Sequence, residues 1–250
     1  MENLDSNRIL EKLDNLLTAN DYSSAKSHLL YWLSESATQN NNKITLLIFN
    51  ELMGLTRKLG NGDEAESYAQ KALEKVKEMD IENNIGAATT YLNSATVFKA
   101  FGKADKALPL FEKAKAIYEK NLSPYDDRFG GLYNNMALAL VDLKKFREAD
   151  LYYNKALDVM SHIEGKEPEQ AITMLNMASA AEAELGLERA ETKIAEYIEK
   201  AITLLDYGKD RTDGNYAFVC EKCASVFGYY GYFYYENQLT ERYRRIYEGT

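Results

Sequence analysis

Three asparagines recur along this chain at intervals of 42 and 41 residues: Asn93, Asn135 and Asn176. Asparagine is a mediocre residue for a helix interior, because its short amide competes with the backbone for hydrogen bonds. The amide carries two donors and an acceptor, so it can bond another segment. Three asparagines in register therefore indicate a role that helix propensity does not explain.

The other residues that could do chemistry do not form a recognisable site. Cys220 and Cys223 make a single Cys-x-x-Cys, whereas a structural zinc site needs a second pair or nearby histidines. His28 and His162 lack such spacing. No paired histidine and nucleophile, phosphate-binding glycine loop or cluster of metal ligands is visible. We therefore predict no catalytic residues, no metal and no cofactor, and interpret the cysteines as buried packing residues or incidental surface residues.

Composition and charge narrow the class of protein further. Hydrophobic residues make up 46% of the 250 residues, only three prolines and 14 glycines interrupt them, and no two-residue alternation is sustained, which favours an all-helical chain. The net charge of −9 disfavours nucleic acid as a partner. The N-terminus lacks a secretory pattern and no apolar run approaches the ~20 residues of a membrane span. A cytoplasmic protein with no membrane contact is expected.

A recurrence of alanine predicts the helices that position the asparagines. Each of these alanines comes just after a break between two helical stretches, at intervals of 40, 42, 42 and 41 residues: Ala25, Ala65, Ala107, Ala149 and Ala190. Such a period is typical of stacked helical repeats. Around the break at 144–148, apolar residues recur every three or four positions on both sides, so each half presents one apolar helix face.

The pattern of small and aromatic residues resembles the tetratricopeptide repeat family. Two units carry it: Ala95, Phe98, Ala107, Phe111 and Ala114, then Ala137, Leu140, Ala149, Tyr153 and Ala156. Linkers such as 121–127 are similar to those of kinesin-light-chain repeats of about 42 residues. The resemblance implies a right-handed superhelical solenoid of stacked antiparallel helix pairs. We expect one array over residues 1–250, with degenerate first and last units, at residues 6–39, 46–79, 88–121, 130–163, 171–206 and 215–250.

The resemblance also implies a binding face. The first helix of each pair lines a concave groove, and asparagines at the positions of Asn93, Asn135 and Asn176 bond the backbone of a bound peptide. The alternative is that each amide bonds a neighbouring repeat and satisfies a buried polar group. The same face is predicted to include Asn50, Arg57, Lys58, Thr96, Lys99, Ser179 and Glu182. Its charge changes from basic to acidic, which could orient an extended ligand or be a solvated pattern without one.

The C-terminal end is rich in aromatic residues. Eight tyrosines and three phenylalanines lie between Tyr216 and Tyr247. We predict one long helix over 216–236, a turn near Asn237 and Gln238, and a short last helix. An interface is predicted at Tyr229, Tyr230, Phe233 and Tyr234, since tyrosine suits surfaces that are apolar at one end and wet at the other. A weak homodimer could form there, or the rings could be internal packing.

These observations favour a non-enzymatic scaffold that binds a peptide or protein segment in its groove. The alternative is a structural or oligomerisation module that acts through its aromatic end. An enzyme would need a site assembled from distant residues, for which the sequence gives no sign.

Overall fold

The computed structural model describes residues 4–249 and contains only helices and their connections there. The predicted all-α architecture of stacked helix pairs is confirmed. The helices are α1 Ser6–Thr18, α2 Tyr22–Thr38, α3 Asn42–Lys58, α4 Gly62–Glu78, α5 Ile85–Ala100, α6 Ala104–Asn121, α7 Arg128–Asp142, α8 Phe146–Ser161, α9 Glu167–Leu185, α10 Leu187–Tyr207, α11 Gly214–Tyr229 and α12 Phe233–Glu248.

Two compact units divide the chain. The first ends at Asn121 and holds α1–α6, and the second begins at Leu122 and holds α7–α12. In each unit, short turns join consecutive helices into three pairs, and the first helices of neighbouring pairs contact one another, α3 with α5 and α7 with α9. This arrangement places the register positions of the asparagines side by side within a unit.

A residue with positive φ occurs in the turn of every helix pair that the structure describes: Asn20, Gly60, Gly102, Lys144, Gly186 and Gly231. Glycine is favoured at four of these positions because it has no Cβ to clash. At Gly60 the turn ends α3, with the Asn61 amide bonded to the Thr56 carbonyl at 3.0 Å. Asn61 then caps α4, its side chain accepting a bond from the Glu64 amide.

The recurring alanines are buried between helices. They lie in the second helix of each pair and are at most 1% exposed: Ala25, Ala65, Ala107, Ala149 and Ala190. Small side chains let helix backbones approach closely, while large rings fill the space beside them. Phe111, Tyr118 and Tyr153 are the fully buried rings that do so in α6 and α8.

The predicted course of the aromatic end is wrong. Helix α11 ends at Tyr229, and Asn237 and Gln238 lie inside α12 instead of forming a turn. The break falls at Gly231, whose φ is +84°, and the Tyr232 amide closes it by bonding the Phe227 carbonyl at 2.9 Å. Ending the helix there lets Tyr235 and Leu239 pack into the core from a second helix.

Candidate binding site

In the first unit, Asn93 bonds the preceding helix pair. Its Nδ2 donates to Asn50 Oδ1 at 3.0 Å, which joins α5 to α3. Asn50 Nδ2 donates in turn to the Leu46 carbonyl at 2.9 Å and to Thr90 Oγ1 at 3.1 Å. Both asparagines are half-buried and Thr90 is buried, so the Asn50–Asn93 pair satisfies polar groups between two first helices.

The second unit repeats this pairing. Asn176 Nδ2 donates to Asn134 Oδ1 at 3.1 Å, and Thr173 Oγ1 donates to the same oxygen at 3.2 Å. The Asn134–Asn176 pair therefore joins α9 to α7 as Asn50–Asn93 joins α5 to α3. Sequence reasoning missed Asn134, although its distance of 84 residues from Asn50, two repeat periods, is a signal that could have identified it.

Asn135 differs from the other two asparagines in register. Within residues 4–249 its side chain makes no hydrogen bond, although it is half-buried on α7. Asn135 lies on α7, the first helix of the second unit, so no earlier helix pair of that unit faces it. Its amide carries two donors and an acceptor.

The backbone beside Asn135 is open. Gly131 lies one turn earlier on α7, and a Cβ built there would have no atom within 4 Å. Gly54 on α3, one turn after Asn50, is equally open. Glycine inside a helix is destabilising relative to alanine, by roughly 0.5–1 kcal/mol. Both positions would allow a ligand to approach the helix backbone closely.

The other polar residues predicted for the groove in the first unit differ in their exposure and in their contacts. Arg57 is exposed, yet desolvation of part of its side chain lowers the pKa of its guanidinium. Lys58 Nζ lies 4.9 Å from the ring centre of Tyr22, and the Thr96 hydroxyl donates to the Leu92 carbonyl at 2.8 Å. Lys99 is half-buried. Arg57 is the exposed guanidinium among these predicted residues.

Glu51 was not predicted, although it holds the register position of Asn93, Asn135 and Asn176 in the pair before them. Its carboxyl is half-buried on α3. Burial, with a contribution from Asp14, raises the pKa of Glu51. Glu51 therefore presents a half-buried polar group at the same register position as the asparagines.

In the second unit, Glu182 is bonded by two tyrosines of the last helix pair. The hydroxyls of Tyr229 and Tyr230 each donate to this carboxylate at 2.7 Å. Burial raises the pKa of Tyr230, and the bond to Glu182 raises that of Tyr229. The Ser179 hydroxyl donates to the Leu175 carbonyl at 3.2 Å, within its own helix. The structure thus joins a residue predicted for the groove to two predicted for an interface.

The aromatic end divides into an internal and an exposed part. Inside, Tyr235 and Arg242 bond Asp206, and Arg242 Nη1 also donates to the Tyr216 hydroxyl at 3.1 Å. Arg242 Nη2 and Tyr235 OH donate to Asp206 Oδ1 at 2.6 and 2.9 Å. The Tyr216 hydroxyl donates to the Leu205 carbonyl at 2.9 Å, which ties α11 to the end of α10. Outside, Tyr229, Phe233 and Tyr234 are 68%, 64% and 79% exposed.

The cysteines do not form a reactive site. Cys220 and Cys223 are both buried and unbridged, and burial raises the pKa of each thiol, so the reactive thiolate is disfavoured. In the described part of the chain, no group of three or more His, Cys, Asp or Glu side chains could hold a metal ion. No helix of residues 4–249 is both long and apolar enough to cross a membrane.

Family models of the tetratricopeptide repeat match residues 45–120 and 131–159. These stretches cover α3–α6 and most of α7 and α8. The chain therefore contains tetratricopeptide repeats, which confirms the resemblance and indicates a role in protein–protein interaction. Among curated protein sequences, none matches the chain significantly.

Solved structures share the fold at low sequence identity. A putative kinesin light chain of Podosopora anserina with nearly identical TPR-like repeats is 16% identical, with a TM-score of 0.56, and the match covers 81% of this chain and 94% of that one. BtubC from P. vanneervenii is 20% identical, with a TM-score of 0.56 and coverage of 93% and 91%. A Rap protein, solved in complex with competence and sporulation factor, is 11% identical, with a TM-score of 0.55 and coverage of 95% and 73%.

Proposed function

We propose that this chain is a non-enzymatic scaffold that binds an extended peptide or protein segment in a groove lined by first helices, with Asn135 bonding the backbone of the ligand. The observation that carries the proposal is the unpaired, half-buried amide of Asn135 on α7. A primary amide can pair with the N–H and C=O of an extended backbone in the way that a neighbouring strand does. The tetratricopeptide repeats support the class of function.

The surroundings of Asn135 fit a peptide. Gly131 and Leu138 lie one turn before and about one turn after it, so the three share a face of α7. The open position at Gly131 gives the ligand backbone room, and half-buried Leu138 offers apolar contact to a ligand side chain. Polar groups that fix the backbone, beside apolar groups that take side chains, are the usual composition of a peptide site.

The first unit contributes a second, separate contact in this proposal. Arg57 is exposed at the end of α3, so its guanidinium can reach an anionic side chain of a ligand. A guanidinium pairs with a carboxylate through two parallel hydrogen bonds. We therefore expect acidic residues in segments that bind the first unit.

The proposal is tested by selecting ligands from a phage-displayed library of random twelve-residue peptides on the intact protein. Affinities of selected peptides are then measured for wild type, Asn135→Ala and a matched control, Asn237→Ala, in which the asparagine is exposed on α12. Loss of hydrogen bonds to Asn135 should cost about 1.5 kcal/mol, or about tenfold in affinity.

The control should bind like wild type, because Asn237 makes no hydrogen bond among the described residues and lies outside the site. The groove would be the wrong location if Asn135→Ala retained full affinity for every selected peptide. Equal loss in both variants would show an effect unrelated to the position of the amide.

Association through the aromatic end is a second candidate function. It is favoured by the exposure of Phe233 and Tyr234, both of which are large rings at the start of α12. Rings at such positions lose unfavourable contact with water when a partner covers them. Sedimentation velocity of wild type and a Tyr234→Ser variant tests whether a second copy is that partner. A wild type that stays monomeric at high concentration contradicts self-association.

A further inference from the structure

Tyr153 carries a buried hydroxyl that no other side chain or backbone group bonds. The residue lies on α8 and is 1% exposed. Its hydroxyl oxygen has no hydrogen-bond partner among the residues that the structure describes. Buried tyrosine hydroxyls usually have a partner, because a polar group taken out of water and left unbonded costs free energy. An unbonded hydroxyl at this place therefore calls for a partner from outside the chain.

Packing alone does not account for this hydroxyl. Tyr153 follows a recurring alanine by four residues, and the same position holds Phe111 in α6 and Ile194 in α10. Both of those side chains are buried and apolar. Because an apolar side chain fills the position in the other two helices, the hydroxyl of Tyr153 is a polar addition to a packing position.

Tyr153 lines a cavity among α8, α9 and α10. The cavity leaves about 30 Å³ open to the centre of a water-sized sphere. One water molecule needs roughly 10–15 Å³ by that measure, so there is room for one or two. Polar side chains from all three helices line it: Asp150 and Tyr153 of α8, Glu184 of α9, and Lys193 and Tyr197 of α10.

The lining suits a neutral molecule that both donates and accepts hydrogen bonds. Asp150 and Glu184 offer acceptors, whereas Lys193 offers donors, so the charged groups around the cavity include both signs. Burial raises the pKa of Tyr153 and of Tyr197, so both phenols stay protonated and can donate or accept. A buried water molecule needs two to four polar partners, and this lining supplies them.

We infer that this cavity is a water-binding site, in which a water molecule bonds the Tyr153 hydroxyl and a polar group of α10. Helices α8 and α10 are the second helices of consecutive pairs, so the water joins those pairs on the second-helix side. The Asn134–Asn176 bond joins the same two pairs on the first-helix side. The inference does not depend on peptide binding at Asn135.

Crystal structures of the intact protein and of a Tyr153→Phe variant, at a resolution that shows ordered water, test this site. We expect a water molecule about 2.8 Å from the Tyr153 hydroxyl oxygen, with a second bond to α10. It should be lost or displaced in the variant. Crystals grown with rubidium in place of sodium and potassium distinguish water from a cation, because rubidium gives an anomalous signal.

The stability of the same variant gives an independent measurement. Tyr153→Phe should raise the equilibrium constant of unfolding about fivefold, because a hydrogen bond to the bound water is lost. Tyr216→Phe is the matched control, since the Tyr216 hydroxyl is also buried but donates to the Leu205 carbonyl. It should raise the same constant through the loss of a direct bond.

Three crystallographic results would overturn the inference: a cavity without a water peak, a rubidium signal at the site, or a Lys193 ammonium that bonds the Tyr153 hydroxyl itself. It is also overturned if Tyr153→Phe leaves the unfolding constant unchanged or lowers it while Tyr216→Phe raises it. That result would mean that the Tyr153 hydroxyl is buried without any partner.

Discussion

In both units, an asparagine on one first helix donates a hydrogen bond to an asparagine on the neighbouring first helix. The units differ because the second also contains an asparagine in the same register that is not bonded. In the first unit, Asn93 is bonded to Asn50. In the second, Asn176 is bonded to Asn134 in the same way, while Asn135 makes no bond among residues 4–249. The same residue type in the same register therefore joins two helices at two positions and makes no hydrogen bond among the described residues at the third.

The two bonded asparagines meet an amide oxygen within their own unit: Asn50 for Asn93, and Asn134 for Asn176. Asn135 lies on α7, the first helix of the second unit, which has no earlier helix pair within that unit. A hydrogen bond needs both partners, so the role of an asparagine depends on what the neighbouring helix of its unit presents to it. Substitutions of the buried alanines and of the bonded asparagines should therefore change stability similarly in the two units. Substitution of the unbonded Asn135 should have a different effect.

The largest effect should come from the alanines beside the asparagines, and it should be the same in both units. Ala95 and Ala137 are fully buried in α5 and α7. Changing either to Leu should lower the free energy of unfolding by about 1–3 kcal/mol, because a close-packed site has no room for three more carbons. Denaturant titration measures this. An unchanged midpoint in either variant would contradict the assigned register.

The second unit should lose stability at alkaline pH because of Tyr216, which is fully buried in α11. Burial raises the pKa of Tyr216 to about 12, from an ordinary value of 10.0. The unfolded chain therefore loses this proton first, and the stability that Tyr216 contributes below pH 10 is lost as the pH rises toward 12. The loss should reach about 2 kcal/mol.

This pH dependence is measured by denaturant titrations between pH 9 and pH 12. A Tyr216→Phe variant should be less stable at neutral pH, because the bond to the Leu205 carbonyl is lost, but should decline less steeply above pH 10. Parallel curves for variant and wild type would show that other groups cause the decline.

The asparagine pairs should contribute similarly to stability in the two units. Asn50→Ala and Asn134→Ala each remove an acceptor from a half-buried donor, and each should cost about 1 kcal/mol in the free energy of unfolding. Asn135→Ala should change that free energy by less than about 0.5 kcal/mol, because no bond is lost. A cost for Asn135→Ala equal to the other two would mean that Asn135 is also structural.

The smallest effect should be a gain in stability at the two open glycines. Gly54→Ala and Gly131→Ala should each stabilise the protein by roughly 0.5–1 kcal/mol, since alanine is the better helix residue and its Cβ meets no atom. The binding of selected peptides should nevertheless weaken for Gly131→Ala, because the Cβ occupies space used by the ligand. Stabilisation without any change in affinity would show that the ligand does not contact the α7 backbone at Gly131.

The sequence was sufficient for the repeat architecture because the signals for it are local and recur. Buried alanines such as Ala107 and Ala149 recur at the repeat period, and turn residues such as Gly60 and Gly102 end one helix before the next begins. The break at Gly231 was missed because tyrosines on both sides give no apolar periodicity that marks the end of α11.

The hydrogen-bond partners of the candidate site could not be predicted in the same way. The period places Asn93, Asn135 and Asn176 in one class, but whether each amide has a partner is decided by tertiary packing between the first helices of its unit. The bonds from Tyr229 and Tyr230 to Glu182 also join helices that are far apart in sequence. A pattern within one helix pair contains no information on such contacts.

The most direct test of the account is the NMR spectrum of the side-chain amides of Asn93, Asn135 and Asn176, assigned by single substitutions. In the free protein, the amide protons of Asn93 and Asn176 should exchange slowly with water and those of Asn135 rapidly. On addition of a selected peptide whose binding depends on Asn135, only the Asn135 amide should shift strongly and become protected. Protection of Asn135 before the peptide is added, or a strong shift of Asn93 or Asn176 while Asn135 stays unchanged, would contradict the account.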